Sequence, residues 1–124
     1  IDPRLGKWTL PAGFMENRET TAAGAARETA EEACARLGET TFFALIDVTH
    51  ISQVHVFYRA ALADLDFHPG QESLETRLFR EDEIPWSELA FRSVTQCLRY
   101  YYADRQSGHF SVHVGAITTD PDSE

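Results

Sequence analysis

Three glutamates one turn apart on an alanine-rich stretch constrain this chain more than any other feature in it. From Thr21 to Leu37 the sequence reads as a helix, because Ala22, Ala23, Ala25, Ala26, Ala30, Ala33 and Ala35 favour that state. Thr20 and Thr21 are candidate N-caps, and Gly38 stands where a C-terminal stop is expected. Glu28, Glu31 and Glu32 occupy positions i, i+3 and i+4, which a helix gathers into one narrow sector. Like charges so spaced repel by about 0.2–0.5 kcal/mol per pair. Arg27 can neutralise Glu31 at i+4, but the other carboxylates find no basic match within the helix. The natural compensation is a divalent cation, and crowded hard oxygen ligands suit Mg²⁺ or Mn²⁺, above all where a substrate phosphate completes the coordination. Most charge clusters on helices are solvated faces. Here the context argues otherwise: the loop Pro11-Ala12-Gly13 precedes the helix, Glu19 follows Gly13 by six residues, and the Arg27-Glu28 pair begins eight residues after Glu19.

The rest of the chain supplies the frame. Lys7 to Leu10 reads as a short strand ended by Pro11. Thr41–Thr49 and Ile51–Leu62 are β-branched and aromatic, and the alternation of Val54, Val56 and Tyr58 with His55, Phe57 and Arg59 predicts a strand pair. Asp64 to Gln71 is a loop with a turn at Pro69-Gly70, and Leu74 to Arg80 reads as a further strand. A second helix is expected from about Ser93 to Gln106, with Val94, Cys97, Leu98 and Tyr101 on its apolar face. The tail, residues 107–124, is polar around Phe110, Val112 and Val114 and is expected to be ordered only in part. Strands and helices in this order predict an α/β (α+β) sandwich, a mixed sheet between helices.

Composition narrows the function. Twenty acidic against 11 basic residues give a net charge of −9, which disfavours a nucleic-acid partner. Cys34 and Cys97 form neither a zinc pattern nor a disulfide framework and fit a reducing compartment. No apolar run approaches the ~20 residues of a membrane span, and no signal peptide opens the chain, so a cytoplasmic protein without membrane attachment is expected. The chain opens on Ile1 with a turn, Asp2-Pro3, and the short apolar run Trp8-Thr9-Leu10, as if cut from a longer polypeptide.

Gly13, five residues, Glu19, seven residues, then Arg27-Glu28-Thr29-Ala30-Glu31-Glu32 closely resembles the Nudix box, signature of the Nudix hydrolases, over 23 residues from Gly13 to Ala35. The family pattern has aliphatic residues where Thr29 and Ala35 stand and a glycine at Cys34; these read as packing variation. The resemblance implies a Nudix domain over residues 1–106, here without its first strands or with a sheet completed by a neighbouring chain. It implies metal-dependent hydrolysis of a nucleoside diphosphate linked to another group. Carried over, Glu28, Glu31 and Glu32 bind Mg²⁺ or Mn²⁺ together with the Ala12 carbonyl, Arg27 holds a glutamate in place, and Gly13 and Glu19 shape the loop–helix junction. The base is either Glu28 or a glutamate further along, Glu72 or Glu75; Glu16 is a further acid near the site.

Substrate choice lies outside the box. Trp8-Thr9-Leu10-Pro11-Ala12-Gly13 is similar to the variant found in hydrolases of ADP-ribose and nucleotide sugars, although Ile51 stands where those enzymes often carry a proline. The chain also resembles a subgroup with ADP-ribose- or FAD-type substrates whose full-length members bear an N-terminal zinc ribbon; no cysteine pair precedes Gly13 here. A pyrophosphohydrolase of ADP-ribose, FAD or NAD-like compounds is the first expectation. A nucleoside triphosphate sanitiser and a non-catalytic nucleotide-binding regulator are the alternatives. The resemblance also implies a homodimer. The five histidines show no ligand spacing; His50 and His55 could meet a substrate near the sheet, but a structural or surface role is the first expectation for them. Phe42, Phe43, Phe57 and Tyr58 are core candidates before they are base-stacking ones.

Overall fold

The computed structural model describes residues 7–13, 15–64, 66–68, 70 and 78–119. The elements are α1 (Thr21–Ala33), β1 (Leu37–Val48), β2 (Gln53–Leu62), α2 (Arg92–Ser107) and β3 (His113–Ile117), with short 3₁₀ turns at Thr49–Ile51, Glu81–Glu83 and Trp86–Glu88. β1 is the central strand: β2 pairs with it antiparallel and β3 parallel, giving the expected mixed sheet in the order β2-β1-β3. Register slips between Phe42 and Ala44, which face Tyr58 and Phe57 in turn. The extra residue, Phe43, is thereby released from pairing and buried.

Helices cover both sides. Phe57 and Tyr58 are successive residues of one strand and so point to opposite faces. Tyr58 bonds through its hydroxyl to Thr21 of α1, whereas Phe57 packs on the cluster of Phe43, Ala44, Ile46, Cys97 and Ile117 under α2. Burial pushes the Cys97 thiol up to about 12, as expected of an inert core thiol. Tyr100, Tyr101 and Tyr102 are all half-buried; Tyr100 and Tyr101 pack on the cluster, and Tyr102 meets Tyr101 edge-on.

Three expectations need correction. The first helix stops at Ala33, not Leu37, because Cys34 adopts the left-handed conformation (φ 49°) and caps it. Gly38 is therefore no helix stop and lies in β1. Lys7–Leu10 is not a strand: Trp8 alone makes a parallel bridge, to Leu89, through Trp8 N–H to Glu88 O at 2.8 Å and Ala90 N–H to Trp8 O at 2.7 Å. Of the expected strand Leu74–Arg80, residues 74–77 lie outside the described residues and 78–80 are irregular. Within the tail, residues 113–117 form β3 beside the central strand, and residues 120–124 lie outside the described residues. Among the described residues, no helix is long and apolar enough to cross a membrane.

Candidate active site

α1 begins where the sequence places it: the Thr20 hydroxyl accepts from Ala23 N–H at 3.0 Å. The helix presents Arg27 to four carboxylates. Its Nε and Nη2 form a fork on Glu19, at 2.7 and 3.2 Å, while Nη1 reaches Glu28 at 2.6 Å and Glu31 at 3.2 Å. Glu16, an exposed side chain, stands 3.5 Å from Nε. Glu19 is pulled below the usual carboxylate range by the Arg27 bond first, then by the Glu16 N–H; Arg27 is held the more firmly protonated for the same reason. One guanidinium against four carboxylates leaves a surplus of negative charge on this face.

Glycines let the acids come close. A Cβ at Gly13 would collide with the Glu28 carboxyl group. One at Gly24 would stand 3.0 Å from Glu19 Oε1. Gly24 was not singled out by sequence reasoning, though a signal existed: a glycine inside an otherwise alanine-rich helix costs about 1 kcal/mol and marks a packing or functional reason. The Thr29 hydroxyl donates to the Ala25 carbonyl at 2.8 Å and Ala35 is buried, so both departures from the family pattern are accommodated locally.

Glu32 completes the group. It accepts from Ala12 N–H at 3.1 Å and lies within hydrogen-bonding reach of Glu28. Burial above all, then the Glu28 contact, pushes its pKa up to about 7; the Ala12 N–H opposes this and the Glu31 charge adds to it. Two carboxyls in contact must share a proton or a cation. The donors are all hard oxygens, so Mg²⁺ or Mn²⁺ fits them better than a softer metal.

The structure thus brings Glu28, Glu32, Ala12 and Gly13 together, with Arg27 and Glu19 behind them. Glu31 is held by Arg27 but its side chain is 57% exposed, against 13% for Glu28. Among the described residues, no three acidic, histidine or cysteine side chains already converge as a metal cage. The Ala12 contact runs through its N–H, not its carbonyl. Glu72 and Glu75 lie outside the described residues. His50 and His55 line a separate cleft of about 190 Å³ with Phe91, Arg92 and Ser93, and no box residue lines it. His55 Nδ1 bonds Ser93 Oγ at 2.6 Å and Nε2 bonds Gln53 at 3.0 Å, which is a structural arrangement.

Comparison with known proteins agrees with this geometry. The model of the NUDIX domain matches residues 1–101. The chain belongs to the Nudix family. A NUDIX hydrolase from Nitrosomonas europaea, known from its crystal structure, is 54% identical with a TM-score of 0.90; the match covers 96% of this Nudix chain and 68% of that one. No curated protein matches the chain.

Proposed function

We propose that this Nudix domain is a Mg²⁺- or Mn²⁺-dependent hydrolase that cleaves the phosphoanhydride of a nucleoside diphosphate linked to another group, of the ADP-ribose, FAD or NAD type. The observation that carries the reading is the Glu28 carboxyl against Gly13 with the Glu32 carboxyl on the neighbouring Ala12 N–H, beside an arginine already engaged by four acids. Glu28, Glu31 and Glu32 would hold the cation, with the Ala12 carbonyl as a further ligand. When bound, it supplies charge neutralisation at the diphosphate oxygens and acidifies a water for in-line attack on phosphorus.

The chain's own residues do the rest. Arg27, locked in its fork on Glu19, orients the Glu28 and Glu31 carboxylates, and Gly13 leaves Glu28 the room to sit where it does. The proton of the attacking water goes to a glutamate oxygen, of Glu28 or of Glu72 or Glu75. The match of the Trp8–Gly13 segment to the ADP-ribose variant supports the substrate class. Incubating the full-length protein with Mg²⁺ and ADP-ribose, FAD, NAD and nucleoside triphosphates tests it. AMP released from ADP-ribose is the expected result; pyrophosphate from a triphosphate would make it a sanitiser, and binding without product a regulator.

A further inference from the structure

The last turn of α1 carries Glu31 and Glu32, and its own sequence supports it poorly. No basic residue stands in that turn, two acids sit at the negative end of the helix dipole, and the cap, Cys34, takes a left-handed conformation that favours glycine. A helix end also leaves its last carbonyls without donors from within the helix. Here donors arrive from far along the chain. His68 donates its backbone N–H to the Ala33 carbonyl and Gly70 donates its own to the Glu32 carbonyl, both at 2.9 Å.

Position 70 admits no side chain. A Cβ there would fall inside the van der Waals radius of the Glu31 carbonyl oxygen and 3.1 Å from Glu32 Cα. Both obstacles are backbone, so neither can swing aside. The lack of a side chain at position 70 is what permits this close approach of two backbones.

We infer that Gly70 is a positioning residue for the box carboxylates, a backbone clamp that keeps the last turn of α1 wound so that Glu32 stays against Ala12 N–H and Glu28. What those carboxylates do rests on the function proposed above; the clamp itself does not. With the last turn frayed, Glu31 and Glu32 lose their fixed spacing to Glu28 one turn earlier.

The test uses the full chain with Gly70→Ala, and Gly38→Ala as control, since a Cβ at Gly38 meets only the Ala61 carbonyl, at 3.4 Å. Amide hydrogen exchange is followed by NMR, and Mn²⁺ binding by the electron paramagnetic resonance of the free ion. In Gly70→Ala, residues 30–33 should exchange at least about tenfold faster while α2 is unchanged. Half-saturation by Mn²⁺ should rise about tenfold, as when outer-shell support is removed, and the control should match wild type in both. Unchanged exchange, or equal acceleration in α1 and α2, overturns the inference. Local loosening without weaker Mn²⁺ binding overturns the positioning role.

Should Gly70→Ala fail to fold, the wild-type chain decides: the amides of His68 and Gly70 should be as protected as that of Ala33, and exchange more than about tenfold faster at either would refute the clamp. A wild-type chain that binds no Mn²⁺ and cleaves no phosphoanhydride sinks the proposed function instead, and the exchange comparison still stands.

Discussion

Under α2, the sheet buries Phe43, Ile46, Cys97 and Ile117 against one another. On the α1 side the half-buried groups include the charged Glu19, Arg27, Glu28 and Glu32, held close by glycines. The first region has apolar side chains with nothing to do but exclude water. The second crowds like charges, sets two acids at the wrong end of a helix, and places a cysteine in a conformation suited to glycine. Such local violations are expected where a site serves chemistry, with stability supplied elsewhere. The comparison teaches that changes on the two sides should separate: one side should cost stability, the other activity.

The largest effect is expected from Glu32→Gln. Removing one of two touching carboxylates should lower kcat by roughly 10³-fold or more, about 4 kcal/mol of transition-state stabilisation. Its melting temperature should equal or exceed wild type, because a crowded charge is gone. Steady-state rates with ADP-ribose and a thermal melt check both halves, and an undiminished rate would refute the assigned role. Phe43→Ala is the mirror image: about 3–5 kcal/mol less stable in urea titration, with the rate per folded molecule unchanged.

A smaller effect separates the sides by pH. On α2, Asp104 accepts from His113 Nε2 at 2.7 Å and from Ser111 N–H at 3.1 Å. The His113 bond first, then the Ser111 N–H, holds its carboxyl below the ordinary value of 3.8. A carboxylate depressed in the folded state stabilises fully above its unfolded pKa, and that stabilisation is lost as pH falls through the lower folded value. Melting temperature should therefore drop with acid below pH 3.8, and Asp104→Asn should flatten that limb without touching activity at neutral pH. The smallest change sharpens the contrast from the other side: Cys34→Gly relieves a left-handed cap and should stabilise by about 0.5–1 kcal/mol, measured in urea, with the box chemistry intact.

Much of the site was legible because its signals are local. The N-cap at Thr20, the i, i+3, i+4 set of Glu28, Glu31 and Glu32, and the reach of Arg27 to Glu31 all follow from helix geometry within a few residues. The strand pair was readable too, since alternation and a short connection dictate β1 and β2. Reading failed where the deciding partner is remote. Cys34 ends the helix four residues ahead of the glycine that marked its stop, and Trp8 takes a single partner at Leu89 instead of a neighbouring strand. Gly24 and Gly70 matter only through what approaches them.

The order of the residues alone therefore determined that an acidic, arginine-steadied helix would follow a glycine loop, because such periodicity is settled over one or two turns. Only the folded chain decided that His113–Ile117 would lie parallel to β1 in the sheet, that Glu19 would pair with the Arg27 fork over Gly24, and that the His68 and Gly70 N–H groups would meet the helix end. Those choices depend on steric fit and unsatisfied hydrogen-bonding groups meeting across tens of residues, which a one-dimensional pattern does not encode.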